Sequence, residues 1–236
     1  TIRGADFQAR GLLLACRVGD LRRIARAVAA EVPYSATAGT RAEGRTKRLL
    51  NLAEQLARRL ADPDAMGFVY VVKGMTANMH GRWKESLEIA ERAEQMLREA
   101  ARGIAWELDL VYLYSLLDLQ FMGELPELRR RLERFLKEAR ERDDLNAITN
   151  LRTRLAYLPY LAADDPDRAR SEALSGFGQW SQDRFRFQHY YALFAEVEVM
   201  LYTGDGMDAW HAASSRWGHL QRSFILSSHN VRFKAL

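Results

Sequence analysis

The chain has 236 residues, 48% hydrophobic and 28% charged, with a net charge of +4, a globular balance that excludes a disordered or low-complexity protein. A single cysteine, Cys16, excludes an intramolecular disulfide and a cysteine-rich zinc site, and no run of 18 apolar residues is available for a membrane span. Ala and Leu, with 33 and 32 copies, are strong helix formers, and Val, Ile and Thr are sparse, so a large β-sheet is not expected.

The first predicted helix covers about 5–18. Within it Cys16, beside Leu12, Leu13, Leu14 and Val18, reads as a small buried hydrophobe. Five helical hairpins follow, each with a first helix A and a second helix B. The A helices are expected at about 21–37, 64–79, 105–121, 145–162 and 185–202, and the B helices at about 42–60, 84–101, 126–141, 166–181 and 207–222. A last helix starts near 224 and runs to 236, its partner missing. The apolar steps support helices: Leu125, Leu128, Leu132, Phe135, Leu136 and Ala139 follow at steps of 3, 4, 3, 1 and 3. Asp62-Pro63 and Asp165-Pro166 place a capping Asp before a Pro at the first helical position, where a missing N–H costs nothing. Leu125-Pro126 is a weaker version without the capping side chain, and Pro159 predicts a kink inside its A helix.

Two combs of turn residues set the period. Gly39, Gly81, Gly123, Asp164 and Gly204 are spaced by 42, 42, 41 and 40 residues; Asp20, Asp62, Gly103, Asp143 and Asp183 by 42, 41, 40 and 40. Helical pairs at a fixed period predict a solenoid. The expectation is an all-α, right-handed superhelix of hairpins with a period of about 41, forming one helical-repeat domain over 1–236. The N-terminus lacks both a Met and an apolar signal segment, so the chain reads as a cytoplasmic piece of a longer protein.

The second hairpin carries Tyr70, Gly74, Ala77, Gly81, Ser86, Ala90 and Ala93, which resemble the large/small sequence of a tetratricopeptide repeat. The fourth, through Ala169, Ala173 and Gly176, and the fifth, through Gly204, Ala209 and Ala213, match in part; the third places Leu128, Leu132 and Phe135 at the small sites. The period also exceeds the usual 34. A wider resemblance rests on Gly81-Arg82-Trp83-Lys84-Glu85-Ser86-Leu87, Ala105-Trp106-Glu107-Leu108-Asp109, Asn150-Leu151-Arg152-Thr153, Leu161-Ala162-Ala163-Asp164-Asp165-Pro166 and Gln188-His189-Tyr190-Tyr191-Ala192-Leu193. Together these stretches resemble the C-terminal repeat region of large bacterial serine/threonine protein kinases, which carry a kinase, an ATPase module and a helical tail. That resemblance implies a non-catalytic interaction and sensor region with a concave groove for a peptide or protein partner. The ligand-sensing repeat domain of a bacterial ATPase-type transcription activator is the alternative, since related tails occur there.

No phosphate-binding glycine loop, catalytic-loop motif or cofactor signature is present, and Gly176-Phe177-Gly178 reads as a tight helix contact. His80, His189, His211, His219 and His229 show no metal spacing. The 30 Arg are mixed with 31 acids, as in Arg129-Arg130-Arg131-Leu132-Glu133-Arg134, which reads as a solvated face, not a nucleic-acid stripe. Trp83, Trp106, Trp180, Trp210 and Trp217 read as packing wedges.

Polar residues recur at one depth in three successive A helices: Asp109, Asn150 and Tyr190 each lie 14 before a turn residue, with Glu107 and Gln188 two earlier. Glu107, Asp109, Asn150, Arg154, Gln188, Tyr190 and Tyr191 are therefore the candidate partner-binding residues, with Arg152 and His189 beside them. The same pattern would also arise from hydrogen bonds between packed helices. The uncovered helix at 224–236 offers a route to self-association.

Far-UV circular dichroism should be dominated by helix; a sheet content above about a fifth, the ordinary globular level, would contradict the reading. Purified protein with magnesium and labelled ATP should show turnover no higher than buffer, since the parts that phosphoryl transfer needs are missing.

Overall fold

The steric cost of left-handed backbone decides where helices stop in this chain. In a computed structural model, which describes residues 2–100, 103–175, 185–223 and 225–227, every residue of the first comb has a positive φ: Gly39, Gly81, Gly123 and Gly204, and Asp164 at 56°. A left-handed residue reverses the chain and lets freed carbonyls find donors, as where Arg82 N–H donates to Ala77 O at 2.9 Å. The second comb is corrected by one residue in its first half. The left-handed positions are Gly19, Ala61, Gly103 and Asp143. Asp20 and Asp62, one residue later, are N-caps with extended backbone. Asp183 lies outside the described residues.

The elements are helical throughout, and no strand occurs among the described residues. They are α1 (Ile2–Val18), α2 (Leu21–Ala36), α3 (Glu43–Leu60), α4 (Pro63–Met79), α5 (Trp83–Ala100), α6 (Ala105–Met122), α7 (Leu125–Glu141), α8 (Leu145–Leu151), α9 (Leu158–Leu161), α10 (Pro166–Ser175), α11 (Phe187–Thr203) and α12 (Gly206–Arg222). No described helix is long and apolar enough to cross a membrane. The expected helix at 166–181 is described as far as Ser175. Gly176-Phe177-Gly178 and Trp180 lie outside the described residues. So does the expected terminal helix, apart from a 3-10 turn at Ile225–Ser227.

The caps act as anticipated. Asp62 accepts from Asp64 N–H at 3.1 Å and Asp165 from Arg168 N–H at 3.1 Å, each before a proline. Asp144 accepts from Ala147 N–H at 2.9 Å. Glu124, before Leu125-Pro126, makes no side-chain cap.

The chain divides into two compact units, one built on residues 1–122 and the other on Gly123–Leu226. In the first, Gly74, Ala77, Ser86, Ala90 and Ala93 are all buried. Their small side chains bring α4 and α5 together: a Cβ on Gly74 would meet Ile89 Cγ2 at 3.5 Å and Ser86 O at 3.6 Å. Trp83 stacks on Phe121 with ring centroids 4.9 Å apart. In the second unit Tyr157, Ala169, Ala173, Ala195 and Val199 form a buried cluster.

Three expectations are corrected. The kink expected at Pro159 is a break upstream of it. A π-helical segment over Arg152–Ala156 separates α8 from α9. Pro159 has no N–H for the Leu155 carbonyl and its ring crowds that oxygen, so the ladder is lost one turn before the proline. Cys16 is exposed, not buried, because Ala15 occupies the inward position of α1 and one residue turns the side chain through about 100°. Trp210 and Trp217 are 67% and 36% exposed and are not buried wedges, whereas Trp106, though 51% exposed, packs against the Phe68 ring of α4 with centroids 5.9 Å apart.

Ala61 carries a φ of 49° without glycine's freedom. The left-handed region costs an L-residue about 1–2 kcal/mol, and glycine returns about 0.4–1 kcal/mol of that through its looser unfolded chain. Ala61→Gly should therefore raise stability by about 1 kcal/mol, read as a Tm increase of about 2–4 °C for a chain of this size. An unchanged or lower Tm would contradict the strain.

Candidate partner-binding site

Five of the seven candidate residues come together in the second unit. Asn150 lies in the last turn of α8, Arg154 stands in the π segment, and Gln188, Tyr190 and Tyr191 occupy the first turns of α11. The turn is set by extended backbone at Arg186 and by His189 Nδ1, which accepts the Arg186 N–H at 3.2 Å. Gln188 Nε2 donates to Asn150 Oδ1 at 3.5 Å, and Asn150 Nδ2 donates to Asn146 Oδ1 at 3.2 Å. The Arg154 guanidinium lies over the Tyr191 ring, 4.2 Å from its centroid, in the geometry of a cation–π contact. Tyr190 meets Tyr191 edge-on at 5.2 Å.

Two donors in this group are buried without a hydrogen-bond partner among the described residues: Arg154 Nε and the Tyr190 hydroxyl. Leaving a buried polar group unsatisfied costs about 1–3 kcal/mol. Tyr190 is 4% exposed, and burial, with Tyr191 adding, pushes its phenol above the usual range while the Arg154 charge opposes. Nearby, Tyr157 donates to Glu198 Oε2; burial and then the Glu198 charge raise the Tyr157 phenol well above its usual range. Both phenols are therefore neutral O–H donors at ordinary pH. The arrangement offers donors, amides and an aromatic face, which suits it to hold an acceptor. Arg152 turns elsewhere: its Nη1 donates to Ser175 Oγ at 3.3 Å on α10.

Glu107 and Asp109 belong to the first unit. Glu107 is 6% exposed in the first turn of α6 and accepts from Arg26 Nη2 of α2 at 2.5 Å. The Arg26 guanidinium also covers the Phe68 ring of α4 at 4.6 Å. Glu107 is thus committed to tying three helices together. Asp109 is half-buried in the same turn. Among the described residues no cluster of His, Cys, Asp and Glu could hold a metal ion. A surface cleft of about 160 Å³, lined by Arg129, Leu132, Pro159, Tyr160 and Glu172 among others, contains none of the seven.

Residue-by-residue reading missed the partners: Arg26 for Glu107, Glu198 for Tyr157, Asp118 for Asn78. A signal was present. Asn78 and Asp118 are 40 residues apart, Tyr157 and Glu198 41, Asn150 and Gln188 38, and Arg26 and Glu107 81. In these four pairs the complementary polar residues that meet lie one or two periods apart.

No family model matches the chain, and no curated protein matches its sequence. Its fold is similar to the crystal structure of BtubC (BKLC) from P. vanneervenii, at 14% identity and a TM-score of 0.67, over 94% of this chain and 91% of that one. The likeness extends to the fold alone, so the role of Glu107 rests on its geometry. Removing Arg26 strands a buried carboxylate, and Arg26→Ala should lower stability by about 1–3 kcal/mol in chemical denaturation. An unchanged midpoint would free Glu107 for another role.

Proposed function

We propose that the chain is a non-catalytic interaction module. Its hairpins are tetratricopeptide-like repeats of a right-handed α-solenoid, and the A-helix face around α8, the π segment and α11 receives a peptide or protein segment. One observation carries this reading: Arg154 Nε–H and the Tyr190 O–H are buried without partners beside the Tyr191 ring and the Asn150–Gln188 amide pair. An incoming main-chain carbonyl or carboxylate would satisfy both donors, and charge-assisted bonds of the Arg154 kind are the stronger ones. Tyr191 adds aromatic contact area of the sort that anchors interfaces. The period of the left-handed turns supports the repeat reading, and the sequence resemblance to kinase tails supplies a setting. In that setting the module recruits a partner, and the phosphoryl chemistry resides in the kinase domain of the longer chain.

The test begins with a peptide selected from a random displayed library on the full chain. Arg154→Ala should weaken capture of that peptide by about 10- to 150-fold, the equivalent of about 1.5–3 kcal/mol, with melting unchanged. Tyr190→Phe removes an unsatisfied hydroxyl, so it should raise the melting temperature of the free protein slightly while weakening capture. Melting that falls by several degrees in either variant, with capture intact, would mean that the group is internal wiring.

A further inference from the structure

Asp118, near the C-terminal end of α6, is completely buried, with 0% exposure. Its surroundings are neutral. Asn78 of α4 donates from Nδ2 to Asp118 Oδ1 at 2.7 Å. Ser86 of α5, also at 0% exposure, faces the carboxyl, but its hydroxyl proton goes to Gly74 O at 2.9 Å. Among the described residues Asp118 Oδ2 has no hydrogen-bond partner and no charged group acts on it. Charged side chains of the adjoining helices have partners of their own. Lys73 of α4 bonds Glu54 at 3.3 Å, and Arg82 pairs with Glu85 of α5 at 3.2 Å. His80, at the end of α4, interacts with Arg82, Glu43 and Lys47. A buried carboxylate without a cation is among the costliest groups a core can hold, whereas a neutral carboxyl is an ordinary hydrogen-bonding group.

We propose that Asp118 is a proton-operated latch of the first unit: protonated, its carboxyl fits the junction of α4, α5 and α6; ionised, it sets an unpaired charge there and loosens that junction. Burial raises the carboxyl to about 7, with the Asn78 hydrogen bond and the neighbouring Ser86 hydroxyl dipole opposing, so both forms are populated near neutrality. The sign is opposite to that of a salt-bridged carboxylate. An unfolded Asp titrates near 4. Between there and about pH 7 the folded chain holds a proton that the unfolded chain has released. The contribution to stability is full below about pH 4, falls as pH rises to about 7, and stays lost above that. A small acidification from neutrality would firm the packing of α4 against α5 and α6.

The test uses the full chain and its Asp118→Asn variant, which is neutral at every pH and keeps the acceptor for Asn78. The two should melt together at or below about pH 4, and the variant should melt higher by a margin that grows up to about pH 7 and stays constant to about pH 8. Amide protection of α4 and α6, corrected for intrinsic exchange, should fall between pH 6 and pH 8 in the wild type and stay level in the variant. The carbon resonance of the Asp118 carboxyl should titrate with a midpoint above 6. Parallel melting profiles, or a midpoint below about 5, would overturn the latch. Should the variant fail to fold, the carboxyl titration of the wild type decides alone.

Discussion

The hairpins of this chain depend on one backbone constraint: a helix ends where a residue enters the left-handed region, and here that happens at a nearly constant interval. Gly39, Gly81, Gly123, Asp164 and Gly204 mark one end of the hairpins, and Gly19, Ala61, Gly103 and Asp143 the other. The interval fixes the lengths of the helices between, so residues about 40 apart occupy equivalent positions on successive A helices. Glycine accepts the conformation without a Cβ penalty, and Asp tolerates it through local hydrogen bonds. Ala61 has neither advantage.

Equivalent positions become neighbours, and that is where the buried polar groups are found. Asn78 with Asp118, Tyr157 with Glu198 and Asn150 with Gln188 are each bridges of about one period, while Arg26 to Glu107 spans two. Apolar side chains pack against many partners at little cost, so they do not distinguish one register from the next. A buried hydrogen bond does, because a shifted register leaves both groups unsatisfied. Among the buried polar atoms left without a hydrogen-bond partner by the described residues are Asp118 Oδ2 in the first unit and the Arg154 and Tyr190 donors in the second. The first lacks a donor and can be relieved by a proton. The others lack an acceptor and can be relieved by a ligand. The missing group in each case has a different source, which is why one reads as a pH-sensitive contact and the other as a recognition surface.

The π segment shows how local chemistry reshapes the site. Pro159 withdraws a donor and crowds the Leu155 carbonyl, and the backbone answers with a wider turn over Arg152–Ala156. Arg152 and Arg154, two residues apart, then reach different surroundings: Ser175 and Glu172 of α10 for one, the Tyr191 ring for the other.

The sequence alone determined that the chain is helical, where most helices begin and end, and which residues turn the chain. Those properties follow from local causes: apolar spacing, Asp-Pro caps and positive φ at Gly and Asp. It also grouped Glu107, Asp109, Asn150, Arg154, Gln188, Tyr190 and Tyr191 by their depth in equal repeats, of which the last five meet in the second unit. Only the tertiary structure decided which of the candidates already has a partner. Glu107 and Tyr190 read alike as polar residues at the start of A helices, yet one is satisfied by Arg26 and the other is left with an unbonded hydroxyl. It also decided that Asp118, inconspicuous in an apolar run of α6, faces no cation among the described residues, that the break precedes Pro159, and that Cys16 turns outward. The physical reason is common to all four. Satisfaction and exposure are set by groups tens of residues away, and a one-residue rotation on a helix moves a side chain by about 100°, which periodicity by itself does not resolve.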